Sequence, residues 1–210
     1  VTRVFSRKEL FHELFGVWRR ESDAITRRSE RTAPPVLLRP PGARMPDEDY
    51  LTACTGCEAC VKACPEDSLF MAEAGGEPPR RVAVLAASRR PCFLCDGLPC
   101  VAACTDGALQ PPASPAQVRI GVAQVNPKAC RTFHGEACDL CVRHCPYPQE
   151  AIKLIGGRPV VIPAHCTGCG KCEAACPERP RAVTVYPERE LVPGLRIPLR
   201  LRTGPGGFAG

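Results

Sequence analysis

Two stretches of the chain share one spacing. They are Cys54-Thr55-Gly56-Cys57-Glu58-Ala59-Cys60-Val61-Lys62-Ala63-Cys64-Pro65 and Cys166-Thr167-Gly168-Cys169-Gly170-Lys171-Cys172-Glu173-Ala174-Ala175-Cys176-Pro177, both C-x2-C-x2-C-x3-C-P. A tight loop with thiolates two residues apart aims three sulfurs inward, onto one compact polynuclear group. The fourth cysteine starts to climb away on a short helix and reaches a second such group. The proline after it fixes the exit of the chain. Gly56, Gly168 and Gly170 let backbone amides come close to the sulfurs, where N–H groups offset negative charge.

Two further groups lie between these. One is Cys92, Cys95, Cys100 and Cys104, spaced C-x2-C-x4-C-x3-C, with Thr105 where the others have proline. The other is Cys130, Cys138, Cys141 and Cys145, spaced C-x7-C-x2-C-x3-C and followed by Pro146. Each insertion lengthens a loop without changing the number of thiolates, and Thr105 removes a turn preference rather than a ligand. All sixteen cysteines therefore fall into four groups of four, repeating about every 37 residues. The expected cofactors are four [4Fe–4S] clusters.

Other readings of the cysteines fit less well. Four crowded groups do not resemble a secreted disulfide framework. Zinc ribbons separate two Cys-x2-Cys pairs by longer gaps than these. A [3Fe–4S] cluster would leave one cysteine of a group missing, and none is missing.

The bulk numbers agree with a metal-stapled chain. Cysteine reaches ~8% of the 210 residues, far above ordinary usage. Aromatic residues make up only 5%, and there are 24 prolines. Such a composition builds a poor apolar core, so metal staples are expected to carry much of the folding energy. The formal charge of +6 counts thiols as neutral. Four clusters of roughly −2 each bring the loaded chain to roughly −2, which weakens the case for nucleic-acid binding.

No stretch approaches the ~20 apolar residues of a membrane span. Ser6-Arg7-Lys8-Glu9-Leu10-Phe11 is a poor twin-arginine export start, because no apolar region follows it. The expected location is cytoplasmic, unless a leader has been removed.

The organisation expected is α+β: two ferredoxin-like bis-[4Fe–4S] modules with short strands, helical turns, long loops and extended terminal arms. Residues 1–50 hold an amphipathic helix from about Ser6 to Glu21, with Phe11, Leu14, Phe15 and Trp18 on one face as a candidate docking element. A linker follows, marked by Pro34, Pro35, Pro40, Pro41 and Pro46. Residues 51–186 form the cluster region, with strands expected at Arg81–Leu85, Val118–Val125, Ile152–Ile155, Val160–Ile162 and Ala182–Tyr186. Helical turns are expected at Glu58–Ala63, Pro99–Ala103, Asp139–His144 and Lys171–Ala175. Residues 187–210 read as an extended tail.

The fourth cysteines can be exchanged in two ways. Groups can pair one with two and three with four, or one with four and two with three. The two regular groups lie outside and the two expanded ones inside, which leans to the nested choice. The connections Gly107–Lys128 and Ala151–His165 each read as a ferredoxin's internal link, so residues alone leave both open.

The groups resemble the ferredoxin-type proteins of periplasmic nitrate reductase systems and the methylamine-utilisation ferredoxins. More distantly they resemble the four-cluster subunits of molybdopterin oxidoreductases. The resemblance rests on Pro91-Cys92-Phe93-Leu94-Cys95, Pro99-Cys100-Val101 and Gly107-Ala108-Leu109, with Gly135-Glu136-Ala137-Cys138-Asp139-Leu140-Cys141 and Cys166–Cys172. It covers about residues 50–186.

The oxidoreductase subunits imply nested pairing. The implied sets are Cys54, Cys57, Cys60 and Cys176; Cys166, Cys169, Cys172 and Cys64; Cys92, Cys95, Cys100 and Cys145; and Cys130, Cys138, Cys141 and Cys104. The resemblance implies electron transfer between redox proteins, with a molybdopterin oxidoreductase among the candidate partners. The start of the chain is similar to the cytoplasmic accessory type of the nitrate system, which implies an alternative role in maturing a molybdenum enzyme.

No nucleophile–base pair, phosphate-binding loop or dinucleotide fingerprint is visible, so a carrier rather than an enzyme is expected. His134, His144 and His165 lie beside ligands and are either proton-coupling groups or plain surface histidines. Lys128, Arg131, Arg143 and Lys171 are either charges that raise cluster potentials or solvated surface residues.

Overall fold

The computed structural model describes residues 35–74 and 80–187. The expected helix around Phe11–Trp18 lies outside the described residues, as does the tail beyond residue 187. The compact unit that carries the cysteines begins at Pro35.

Three two-stranded antiparallel sheets organise this unit. Strands β1 (Leu69–Ala74) and β2 (Arg80–Leu85) pair from Leu69↔Leu85 to Ala74↔Arg80. Strand β3 (Val122–Val125) pairs with β6 (Val183–Tyr186), Val122 facing Tyr186. Strands β4 (Ile152–Ile155) and β5 (Arg158–Val161) form a hairpin turned by Gly156 and Gly157, both at positive φ.

Helix α1 (Asp47–Ala53) precedes the first cysteine group. One short helix then follows in each group: α2 (Ala59–Lys62), α3 (Pro99–Ala102), α4 (Leu140–Arg143) and α5 (Lys171–Ala174). Only one turn fits between ligands spaced so closely. These turns and most strands stand where the sequence places them; α1 and β1 are additional.

The sheets reveal two copies of one plan. In the C-terminal half, β3 and β6 bracket the third and fourth cysteine groups, and the β4–β5 hairpin lies between those groups. In the N-terminal half, the β1–β2 hairpin lies between the first and second groups. Its bracketing pair is reduced to the bridge Ala43↔Leu109, with Gln110 N–H donating to Gly42 O at 2.7 Å and Arg44 N–H to Ala108 O at 3.1 Å. The modules are therefore groups one with two and three with four. The nested arrangement is corrected: antiparallel pairing closes each half on its own ends, so the first group never meets the fourth group's last cysteine.

The proline-rich linker is also corrected from Pro35 onward. Leu38 exchanges two 2.8 Å backbone hydrogen bonds with Leu85. Leu38, Pro40 and Pro41 are fully buried. Proline suits a buried strap because it brings no N–H that would need a partner. Arg39 anchors the strap, its Nε donating to Arg119 O at 3.0 Å and its guanidinium pairing with Asp47 at 2.7 Å. It also contacts Met45 Sδ. Val82, Leu85, Val118, Ile120, Val183 and Val185 fill the core with Leu38.

Candidate metal centre

The cysteines converge in four places. Site I gathers Cys54, Cys57, Cys60 and Cys104 around one hollow. Site II gathers Cys92, Cys95, Cys100 and Cys64. Site III gathers Cys166, Cys169, Cys172 and Cys145. Site IV gathers Cys130, Cys138, Cys141 and Cys176. Each site takes three cysteines from one group and the last from its neighbour in the same half. All sixteen expected residues line a site, but Cys64, Cys104, Cys145 and Cys176 do so in sequential rather than nested exchange.

The fourth cysteine is held alike in each site. Ser68 N–H donates to Cys64 Sγ, Leu109 N–H to Cys104 Sγ and Ala182 N–H to Cys176 Sγ, each at 3.3 Å. Tyr147 N–H does the same for Cys145. Cys104 thus takes the same seat as the others although Thr105 replaces proline.

The donor chemistry fits a polynuclear cationic group. Burial, with added repulsion from neighbouring thiols, pushes Cys92 up to about 12 and Cys60, Cys100 and Cys141 up to about 11. Burial and the neighbouring thiols also push Cys172 well above the ordinary thiol range. Four thiolates cannot be crowded out of water unless positive charge is supplied among them. Among the described residues, no His, Cys, Asp or Glu group is tight enough for a single metal ion. The thiols stand around a space instead.

Backbone approach sets the shape of the sites. Gly168, at φ +71°, lies so close to Gly121 that a Cβ would come within 2.3 Å of its N and O. Gly170, at φ +84°, would place a Cβ 2.4 Å from Ala87 Cβ. Both positions need glycine for conformation and for space.

Other residues missed in the sequence complete the walls. Tyr50 lines site I, is 3% exposed and donates its hydroxyl to Ala83 O at 2.6 Å. Glu173 is buried beside Cys172 and accepts the Val185 N–H at 2.8 Å, tying α5 to β6. Burial raises its carboxyl above the usual range. A glutamate in a one-turn helix gives no sign of burial in sequence; Tyr50 is signalled only by the acidic start of α1, Asp47-Glu48-Asp49.

The histidines read as surface groups. His134 Nε2 bonds Lys128 O at 3.1 Å and His144 Nδ1 bonds Leu140 O at 2.9 Å, both exposed, and none of the three lines a site. The candidate cations differ from one another. Arg131 pairs with Glu178, and Arg143 pairs with Asp139 at 2.9 Å. Lys171 seats its ammonium 4.8 Å from the centre of the Phe93 ring.

The 4Fe-4S dicluster domain family matches residues 53–108, spanning the first two cysteine groups together. The 4Fe-4S binding domain family matches residues 159–180. The methylamine utilization ferredoxin-type protein MauM of Methylorubrum extorquens is 43% identical over 165 residues, covering 73% of this chain and 74% of that protein. The chain belongs to the MauM/NapG family of ferredoxin-type proteins. MauM of Paracoccus denitrificans is 40% identical to this ferredoxin-type protein over 83% of its chain and 82% of the relative. NapG of Escherichia coli is 37% identical over 72% and 71% respectively. No solved structure matches the chain. The family makes this ferredoxin-type protein an iron–sulfur electron carrier. No helix among the described residues is long and apolar enough to cross a membrane.

Proposed function

We propose that this protein is a four-cluster electron wire serving a larger redox enzyme, with one [4Fe–4S] cluster held by the four thiolates of each site. The observation that carries the reading is the repetition of one four-thiol arrangement four times, each with three cysteines from one group and the last from its neighbour. When bound, each cluster supplies a one-electron site.

The chain's own residues set the order I–II–III–IV. Cys64 and Cys104 cross between I and II, and Cys145 and Cys176 cross between III and IV. The halves meet where Cys92 N–H donates to Cys169 O at 2.7 Å and Ile120 N–H donates to Thr167 O at 2.9 Å. Cys92 belongs to site II and Cys169 to site III, so the two inner sites are neighbours. Thiolates displace water from each cavity, and the amides at Ser68, Leu109, Tyr147 and Ala182 offset charge on the crossing sulfurs. Cys57, the one exposed cysteine of the sixteen, opens site I to a partner.

An anaerobic reductive titration of the purified protein tests the wire. It should take up about four electrons per chain, with magnetic interaction between clusters visible in the spectrum of the reduced protein. Uptake of about two, or four non-interacting signals, would contradict the proposal.

A further inference from the structure

Lys171 stands at the join between the halves. It follows Gly170 and lies between Cys169 and Cys172 of site III. Lys171 is half-buried, and its ammonium sits 4.8 Å from the centre of the Phe93 ring. Phe93 lies between Cys92 and Cys95 and lines site II. The ring is 42% exposed, so it holds the ammonium at the surface of the join rather than burying it. Gly170 is pressed against Ala87 and Pro91 from the other half, and the Cys92–Cys169 hydrogen bond fixes the backbone on both sides.

Lys171 also differs from Arg131 and Arg143. Arg131 beside site IV is offset by Glu178 and Glu136, and Arg143 by Asp139. Lys171 takes part in no ion pair among the described residues. Its positive charge therefore remains available to both inner sites.

We infer that Lys171, held by Phe93, is a shared positioning charge that raises the reduction potentials of both inner clusters together and so favours residence of the electron at the join. This rests on the four-cluster reading. A positive charge beside an electron-accepting site favours its reduced state, and one charge between two sites acts on both. It also weakens the repulsion between two reduced neighbours.

The test is potentiometric EPR on anaerobically purified full-length protein, comparing the unaltered chain with Lys171→Met and Lys171→Arg. Each sample is also assayed for iron and sulfide. With the cluster content unchanged, Lys171→Met should shift two of the four potentials downward and leave two in place. Lys171→Arg, which keeps the charge and stacks on a ring, should hold all four. Phe93→Ala should move the same two potentials by a smaller step. A shift in one potential only, in none, or equally in all four would overturn the inference. Too few clusters in the unaltered chain would instead overturn the four-cluster reading.

Discussion

At the scale of single residues, the crossing cysteines separate the two pairings most sharply. Cys64 lies with Cys92, Cys95 and Cys100, not with the fourth group. Cys64→Ser and Cys95→Ser should therefore disturb the same EPR signal, and Cys169→Ser a different one. Agreement of Cys64→Ser with Cys169→Ser would restore the nested scheme. Gly168 is a second informative position. An alanine there meets Gly121 backbone at 2.3 Å in a left-handed conformation, at a cost of more than about 1–2 kcal/mol. Gly168→Ala should lower the melting temperature of the loaded protein, and an unchanged value would mean that the join relaxes freely. Every cysteine that lines a site was legible in the sequence, because the spacing of thiols on a tight loop is local chemistry. Glu173 was not, since its partner, the Val185 amide, comes from a strand twelve residues on.

Among the elements, the strap from Pro35 to Pro46 changes most between sequence and structure. Its prolines signal an extended segment, which is correct, but composition carries no information on what such a segment covers. Leu38 completes the edge of β2, and Arg39 ties the strap to α1 and to Arg119. The Arg39–Asp47 side chains are only 6% and 14% exposed. Asp47→Ala removes a buried ionic partner of Arg39, so it should destabilise the loaded protein by about 1–3 kcal/mol. Denaturant melts compared with Asp47→Asn would check this, and a change below about 1 kcal/mol would show the pair to be solvated. Strand β1 was missed because Met71, Ala72, Glu73 and Ala74 have no strand preference of their own. Its register against Val82–Leu85 imposes the conformation. Strands β4 and β6 were legible because β-branched residues cluster there.

Across the whole molecule, one plan is used twice and the halves join at their inner sites. Thiol spacing establishes that there are four groups, but not which ends of the chain close on each other. That is decided by β3 with β6, and by Ala43 with Leu109, pairings between segments up to some sixty-six residues apart. The apolar core of buried valines and leucines is continuous with the cysteines themselves. Chelating the iron from the folded protein should therefore unfold it cooperatively, followed by circular dichroism; an undiminished signal would show that the core stands without its metal. The central claim is that all four sites hold a cubane. It is tested most directly by counting iron and acid-labile sulfide in protein purified without oxygen. The account predicts about sixteen of each per chain; about eight of each, or iron without sulfide, would contradict it.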